Sequence, residues 1–355
     1  MFRRRITRAI LTAAAVVAVG GAALGMSAPP TTGQPVGAHR VPVTGDLVVH
    51  DPALVAGEHG QPWFVYFTGD GAIGDGNIRI KESTDDGHTW KDIGTVWQTK
   101  PAWITEAVPK VDNLWAPEIV KHDGTYYLYY AASSFGSNRS VIGLATNTTL
   151  DPQSADYKWV DRGPVVTSST SDDYNAIDPA IVQDADGTPW MAFGSFWSGI
   201  RMVKLQWPDG MRADDAVPLR LADRHVPPNA IEGATIIAHD GAYYLIVSRD
   251  FCCQGVNSTY NMAVGRSDSV TGPYVDKNGT PLLDNGGTPL LASQGTEVGP
   301  GGESYSNGYL AWHYYDATDN GVPKLALARL GWRASAGAPT AGPPWRPAST
   351  DAGRH

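Results

Sequence analysis

The chain has 355 residues, of which 40 are glycine, 12 are tryptophan and 15 are tyrosine, and its formal net charge is −9. Without the four arginines among its first eight residues, Lys and Arg fall from 27 to 23 against 36 Asp and Glu, so the net charge falls to −13. An acidic chain without a basic cluster is a poor binder of nucleic acid or of another polyanion, which leaves a neutral ligand such as a sugar as the better expectation.

The N-terminus has the pattern of a secretory signal peptide. Residues 1–28 carry the four arginines, then an apolar run of small residues that is too short for a transmembrane span. We therefore expect a secreted, extracellular protein with no membrane anchor. Residues 29–46 are predicted to be a flexible segment, and residues 333–355, rich in Ala, Pro, Gly and Ser, a disordered tail.

Between these ends, over residues 47–332, one sequence unit occurs five times. Each unit begins with an acidic residue beside a short aliphatic run, continues through a glycine turn into an aromatic run, and ends with a third apolar run. The acidic residues lie about 54 to 71 positions apart, a period typical of repeats that form one sheet each. They are Asp51, Glu118, Asp178, Glu232 and Glu303.

Five such units without helical periodicity predict an all-β fold, a five-bladed β-propeller. Radial repetition protects the sheet edges and places the first strand of every blade around a central channel, so the acidic residues converge on one funnel. Because Pro179 restricts the residue before it, Asp178 is expected to be extended at the mouth of a buried strand. A long β-sandwich is the alternative, but it gives no reason for the period.

A hairpin motif in the first unit suggests a different class of propeller. The segment Ser83-Thr84-Asp85-Asp86-Gly87-His88-Thr89-Trp90 fits the Asp-box pattern found in sialidases and other propellers. Sialidases also need an arginine cluster and a tyrosine nucleophile, and we find no such arginine set in the sequence. The motif is therefore interpreted as a structural turn.

The only two cysteines, Cys252 and Cys253, are adjacent. Adjacent cysteines cannot join distant loops, so they are not a disulfide framework. They form either a vicinal disulfide or two small buried side chains. We favour the second interpretation, because a domain of this size has its own large core.

Three of the acidic residues suit hydrolysis of a glycosidic bond with inversion. That reaction needs one carboxylate as the base and one carboxylic acid about 6.5–9.5 Å away, and a third carboxylate raises the pKa of the acid by repulsion. The alternative is that each acid only accepts backbone amides at a strand start. Three together in an aromatic surrounding favour catalysis by Asp51, Asp178 and Glu232.

Several motifs resemble those of the secreted endo-α-1,5-L-arabinanases of glycoside hydrolase family 43. The resemblance runs from about Val48 to Trp332 and implies cleavage of internal bonds of linear arabinan, with inversion, by a monomer. The motifs are His50-Asp51-Pro52, Leu114-Trp115-Ala116-Pro117-Glu118, Asn175-Ala176-Ile177-Asp178-Pro179, Gly194-Ser195-Phe196-Trp197-Ser198-Gly199, Ile231-Glu232-Gly233, and Cys252-Cys253-Gln254-Gly255 leading to Ser258-Thr259-Tyr260.

The resemblance also implies a role for each acid. Asp51 is the general base, Asp178 orients the substrate and tunes the pKa of the acid, and Glu232 is the general acid, in agreement with the interpretation of the residues themselves. Trp115 is implied to stack on sugar near the cleavage point. The remaining implied substrate-binding residues are Phe135, Asn175, Ile177 and Ser195.

Relatives of this kind hold a metal ion, often calcium, in the central channel, and the matching ligand here is His313. From residue types alone one histidine is a weak metal signal, because calcium prefers several oxygens, and a hydrogen-bonded channel histidine is the alternative. One departure concerns the fifth unit, where Gly302 replaces the histidine of the usual Gly-Pro-Gly-His. The contact which that histidine would make with substrate or metal is therefore missing.

Two alternative functions remain open. An exo-acting arabinanase, arabinofuranosidase or β-xylosidase of the same family would use the same three acids in a closed pocket. The absence of large insertions between the repeated units predicts an open groove and favours endo attack. The second alternative is a sugar-binding propeller without catalysis.

Overall fold

The computed structural model describes residues 39–58 and 60–332; the predicted signal peptide, the first part of the flexible segment and the C-terminal tail lie outside the described residues. Two short strands, β1 (His39–Val41) and β2 (Thr44–Gly45), open the described chain. Over residues 39–46 they correct the prediction of a flexible segment, because both strands pair with other parts of the sheet structure. None of the described helices is long and apolar enough to cross a membrane.

Five antiparallel sheets follow one another along the chain. Blade one contains β3 (Ala53–Val55), β4 (Trp63–Phe67), β5 (Arg79–Ser83) and β6 (Thr89–Thr95). Blade two contains β7 (Leu114–His122), β8 (Thr125–Ala132), β9 (Ser140–Asn147) and β10 (Val160–Ser168). Blade three contains β11 (Ala180–Gln183), β12 (Pro189–Phe193), β13 (Ile200–Lys204) and β14 (Leu219–Ala222).

Blade four contains β15 (Ile231–His239), β16 (Ala242–Arg249), β17 (Asn261–Ser267) and β18 (Thr288–Leu291). Blade five contains β19 (Glu297–Ser306), β20 (Tyr309–Asp316) and β21 (Val322–Arg329). The one α-helix among the described residues, α1 (Ala102–Ala107), joins blades one and two. Four single 3₁₀ turns lie in loops, at Gly74–Gly76, Gly255–Asn257, Leu282–Asp284 and Ala317–Asp319.

The sheets are arranged as the predicted five-bladed propeller. The first strands of the blades contact one another in a closed ring, β3 to β7, β11, β15, β19 and back to β3. Strand β1, at the N-terminal end of the described chain, pairs with β21 and is the fourth strand of blade five. Strand β2 pairs in parallel with β6 of blade one. Together the two pairings join the first and last blades and leave neither β21 nor β6 as an open edge.

The hydrophobic core lies between the blades rather than at the centre. Five clusters of buried apolar side chains fill the five gaps between neighbouring blades. Aromatic and branched residues dominate because the inner face of each sheet packs on the next one. Since the apolar side chains are used there, the central channel is left to polar groups.

Local turn chemistry agrees with the sequence prediction. Asp123-Gly124, Asp240-Gly241 and Asn307-Gly308 each close a two-residue hairpin with positive φ at both positions, as the favoured hairpin turns require. In the Asp box, Asp85 accepts hydrogen bonds from the Ser83 hydroxyl and the Thr89 N–H, both at 2.7 Å. Its Trp90 is buried, which confirms that the motif is a structural turn.

Candidate active site

A cavity of about 1020 Å³ opens at the centre of the propeller, and residues from all five blades line it. It contains eight of the nine side chains predicted as site residues. The ninth, His313, is fully buried in the channel beside Asp51. The eight that line the cavity are Asp51, Trp115, Phe135, Asn175, Ile177, Asp178, Ser195 and Glu232.

One backbone feature recurs in the first strand of each blade or directly before it, and it defines the true register of the repeat. A residue with φ between 40° and 59° occupies the same place in all five blades. These residues are Asp51, Ala116, Asp178, Gly233 and Gly302. In the sequence analysis, Glu118, Glu232 and Glu303 were aligned with Asp51 and Asp178. That register is wrong by one position for Glu232 and Glu303 and by two positions for Glu118.

The same feature corrects the expected conformation of Asp178. Its φ is +57° and that of Asp51 is +50°, so both lie in the left-handed region and not in an extended conformation. Strands β11 and β3 begin two residues later. Left-handed backbone is unfavourable for residues with a Cβ, although aspartate tolerates it better than most, and such strain is concentrated at functional sites. Here the turn directs each carboxylate into the cavity.

Asp51 is held as a carboxylate. Its Oδ2 accepts hydrogen bonds from His50 Nδ1 at 2.8 Å and from the Thr68 hydroxyl at 2.7 Å. Burial raises the pKa of Asp51, but the charge and hydrogen bond of His50, followed by His313 and Thr68, lower it to about 2. The other nitrogen of His50, Nε2, lies 2.8 Å from the Tyr315 hydroxyl. Asp51 is therefore ionised at any pH near neutrality.

Glu232 is surrounded by uncharged donors. The Ser195 hydroxyl donates to Oε2 at 2.5 Å and the Tyr260 hydroxyl donates to Oε1 at 2.7 Å. Burial raises the pKa of Glu232 in spite of these two hydrogen bonds, which lower it. Because a hydroxyl can also accept, either bond can hold the proton of the neutral acid.

Asp178 lies against the neighbouring blade. Its Oδ2 accepts the Gly233 N–H at 3.0 Å. Burial raises its pKa well above the usual range, and the negative charges of Glu232 and Asp51 raise it further. Asp178 and Glu232 therefore titrate as a pair that keeps a proton more readily than a free carboxyl does.

The remaining predicted side chains form the cavity wall. The rings of Trp115 and Phe135 lie 5.2 Å apart, and Phe135 is 81% exposed, so this aromatic surface is open to a ligand. Asn175 is buried and its Oδ1 accepts the Ser140 hydroxyl at 2.6 Å. Ile177 is also buried and adds an apolar side.

Two further acids line the cavity but carry little charge near neutral pH. Burial raises the pKa of Glu118 to about 8, although the N–H of Ile181 donates to it. Burial also raises the pKa of Glu303 to about 8, against a hydrogen bond from the Ser248 hydroxyl at 2.8 Å. Compared with Glu118 and Glu303, Asp51 is therefore the acid that is ionised near neutral pH.

The structure groups His50, Asp51 and His313 closely enough to hold a metal ion, since their ligand atoms lie within 4.8 Å of one another. His313 Nδ1 accepts the Asp51 N–H at 3.0 Å, which leaves the proton on Nε2, a buried atom with no partner. Burial and the neighbouring His50 lower the pKa of His313 well below its usual value, so the ring is neutral. A cation at Nε2 needs the other tautomer, with Nδ1–H facing Asp51 Oδ1 at 3.5 Å. In that form the Asp51 N–H loses its acceptor, and only Nε2 of His313 is offered to a cation, whose other ligands would be water.

The glycine that departs from the family pattern lies against the same group. A Cβ at Gly302 would lie 2.5 Å from Asp51 Oδ1 and 2.9 Å from the His313 ring. Any side chain at this position would therefore displace the base or the channel histidine. Asp51 and His313 occupy the space that a side chain at position 302 would need.

The interpretation of the cysteines as two small buried side chains is wrong. Cys252 and Cys253 are joined in a disulfide, and Cys253 is exposed at the cavity. The argument from a large core does not apply, because the pair lies in a loop on the funnel wall. A positive φ of 67° at Cys253 turns the chain between the two side chains.

Four contact residues were not identified from the sequence as site residues: His50, Thr68, Tyr260 and Tyr315. His50 and Tyr260 occur inside motifs that carried the resemblance, so the motifs offered a signal for them. Thr68 and Tyr315 come from other parts of blades one and five and meet Asp51 and His50 only in the closed fold. Together these contacts place the ionised Asp51 and the protonated pair of Asp178 and Glu232 in one cavity that is large enough for a sugar.

Comparison with known proteins agrees with this chemistry. The extracellular endo-alpha-(1->5)-L-arabinanase 1 of Bacillus subtilis is 41% identical over 80% of this chain and 85% of its own length. The extracellular exo-alpha-(1->5)-L-arabinofuranosidase ArbA of Cellvibrio japonicus is 38% identical over 80% of this chain and 84% of its own. The structure of a GH43 endo-arabinanase from Bacillus licheniformis superposes with a TM-score of 0.77 at 40% identity, covering 83% of this chain and 98% of that one.

The sequence profile of the glycosyl hydrolases family 43 matches residues 41–336, which is most of the chain. The catalytic cavity, the propeller and the similar proteins all agree with that match. The protein therefore belongs to glycosyl hydrolases family 43.

Proposed function

We propose that the protein is a secreted endo-arabinanase, which hydrolyses internal α-1,5-L-arabinofuranosidic bonds of linear arabinan with inversion. The observation that carries the proposal is the opposite protonation of two acids in one cavity. His50 holds Asp51 ionised, whereas burial keeps a proton on the pair of Glu232 and Asp178. A glycosidase of the inverting kind needs one acid in each state.

In the proposed mechanism Asp51 takes a proton from water as that water attacks the anomeric carbon. Glu232 gives its proton to the departing sugar oxygen, so the glycosidic bond breaks as the new bond to water oxygen forms. Asp178 shares a proton with Glu232, which keeps that proton available to the acid, and lies on the neighbouring blade, where it orients the substrate. Acid–base groups of this kind contribute about 10²- to 10⁴-fold each.

Endo attack is favoured over exo attack by the size and openness of the cavity. Relatives named as endo-acting and exo-acting are similar to this chain at 41% and 38% identity, so identity does not separate the two. A volume of about 1020 Å³ is at the upper end of small-ligand sites, which span about 300–1,000 Å³. The exposed face of Phe135 extends the wall outward, which suits a chain of several sugars.

A calcium ion is proposed for the channel, as the resemblance of the sequence motifs implies. His313 would hold it together with water, and the adjacent Asp51 would lie within its field. When bound, the ion supplies fixed positive charge near the base. A chelator is expected to lower activity and the melting temperature of the protein together, and added calcium is expected to restore both. Unchanged melting and activity after chelation and dialysis would exclude the ion.

The proposed function is tested by the products of debranched linear arabinan. Wild-type protein is expected to release a ladder of short oligosaccharides, with Glu232→Gln and Asp51→Asn at least about 10²-fold slower but still able to bind. Release of only monomer or dimer from the start would support an exo-acting enzyme. Binding without turnover by wild-type protein would support the sugar-binding propeller.

A further inference from the structure

The loop that joins β16 to β17, residues 250–260, forms one side of the cavity, and apart from Tyr260, which donates to Glu232, it has no part in the mechanism above. Phe251, Cys252, Cys253 and Gln254 of this loop line the cavity. Phe251 is 39% exposed and its ring lies 6.1 Å from that of Phe196 on blade three. The loop therefore presents an unassigned surface to whatever enters the funnel.

This 250–260 loop is held in one conformation. The disulfide ties Cys252 to Cys253, and the Thr259 N–H donates to the Phe251 carbonyl at 2.8 Å. The N–H of Phe251 in turn donates to the Thr259 hydroxyl at 3.2 Å, and that of Gln254 donates to the Ser258 hydroxyl at 3.0 Å. A surface that is already ordered loses little entropy when a ligand binds.

The disulfide also lies next to the catalytic base. The Cys253 N–H donates to the Tyr315 hydroxyl at 2.7 Å, and Cys253 Sγ lies 3.7 Å from His50 Nε2. His50 in turn donates to Asp51. A sugar bound against the disulfide is therefore beside the point of cleavage.

The chemistry of this surface suits a sugar ring. A disulfide carries no charge, and sulfur is polarisable and packs well on apolar groups. Aromatic carbons such as those of Phe251 pack on the C–H face of a sugar. The Trp115–Phe135 surface is on blade two and the 250–260 loop is on blade four, with blade three between them on one side and blades five and one on the other. A chain that crosses the acids can contact both.

We propose that Phe251 and the Cys252–Cys253 disulfide form a second sugar-binding wall, which binds arabinan on the side of the scissile bond away from Trp115. The inference rests on the proposed function and extends it to residues that determine substrate length. The disulfide holds Cys253, and with it this sugar-binding wall, in place beside His50. Breaking the disulfide therefore lets the wall move.

The test compares arabinohexaose, which is long enough to occupy both walls, with arabinotriose. The proteins are wild type, wild type treated with a phosphine, the double variant Cys252→Ser/Cys253→Ser, and Phe251→Ala. The phosphine takes up the oxygen of one water molecule and leaves two thiols. Val256→Ala is the matched control, since Val256 is exposed in the same loop but does not line the cavity.

For each altered form the KM for arabinohexaose is expected to rise about tenfold, with kcat within about twofold and arabinotriose little affected. The phosphine is expected to change nothing in the double variant. An unchanged KM would overturn the inference, as would a fall in kcat alone, which would assign the disulfide to positioning His50. Two free thiols in the secreted protein would also overturn it.

The design keeps the two proposals apart. If oxidised wild type hydrolyses no arabinan, the proposed function fails and the inference fails with it. If wild type is active and insensitive to these changes, only the inference fails. Should the double variant not fold, Phe251→Ala and the phosphine-treated wild type decide the outcome alone.

Discussion

The starts of blade one and blade four contain two carboxylates with the same number of side-chain donors and opposite protonation. Asp51 accepts from His50 and Thr68, and Glu232 accepts from Ser195 and Tyr260. The pKa of Asp51 is lowered to about 2 and that of Glu232 is raised. The difference lies in one donor, because only His50 can carry a positive charge.

This comparison shows how the starts of two blades can hold two kinds of acid. Burial raises the pKa at both positions, and neutral hydroxyls reduce the rise without reversing it. A histidine beside the carboxylate reverses it. The predictions below change one member of this comparison at a time, from the largest expected effect to the smallest.

The largest effect is expected for Asp178→Asn, which removes the second ionisable carboxyl beside Glu232. The charge of Glu232 raises the pKa of Asp178, so the two carboxyls titrate as a pair; without the partner this repulsion is lost and the acid loses its proton at lower pH. Turnover at neutral pH is expected to fall at least about 10²-fold, and the alkaline limb of the kcat profile is expected to move to lower pH. A lower rate with an unmoved alkaline limb would limit Asp178 to orienting the substrate.

A steric change is expected to act on Asp51 and the neighbouring His313. In Gly302→Ala the new Cβ would lie 2.5 Å from Asp51 Oδ1 at a backbone φ of +59°. Asp51 must then move, and a displacement of about 1 Å can cost about 10²-fold in rate. The measurement is kcat on linear arabinan, with Gly308→Ala in an exposed hairpin as the control for the cost of a positive φ. Equal effects of the two variants would contradict the steric argument.

Removing the positive partner tests the comparison directly. In His50→Gln burial acts on Asp51 without the opposing charge, so the pKa of the base rises and the acidic limb of kcat/KM moves to higher pH. A hydrogen bond to a charged group contributes about 1.5–3 kcal/mol, which corresponds to a move of the acidic limb by about one to two pH units. An acidic limb that stays in place would show that His50 does not keep Asp51 ionised.

Much of this architecture was predictable because it is encoded by neighbours in the chain. The hairpins at Asp123-Gly124 and Asn307-Gly308 follow from turn residues between apolar runs, and five of them with a regular period imply five blades. Asp51 was predicted as a site residue because its neighbours in the chain, His50 and Pro52, form a motif with it. Local patterns of this kind do not depend on the rest of the fold.

The parts that were missed depend on contacts between blades or on backbone angles. Tyr315 contacts His50 although the two residues are 265 positions apart in the chain, and no local pattern shows that contact. Glu118 and Glu303 were placed in the wrong register because the positive-φ residues at Ala116 and Gly302 are not acidic. The disulfide was missed because burial was assumed for Cys253, which lies on the funnel wall.

The smallest effect is expected where a neutral donor is removed from the acid. Tyr260→Phe deletes the hydrogen bond to Glu232 Oε1, which lowers the pKa of Glu232. Without it the pKa rises, so the alkaline limb moves to higher pH, opposite in sign to Asp178→Asn. A neutral hydrogen bond contributes about 0.5–1.5 kcal/mol, so kcat at neutral pH is expected to change by only about threefold. Ser195→Ala, which removes the donor to the other oxygen, is expected to move the same limb in the same direction. If both variants instead moved the acidic limb to higher pH, as His50→Gln is expected to do, then Glu232 would be the base, and the assignment of the two carboxylates would have to be exchanged.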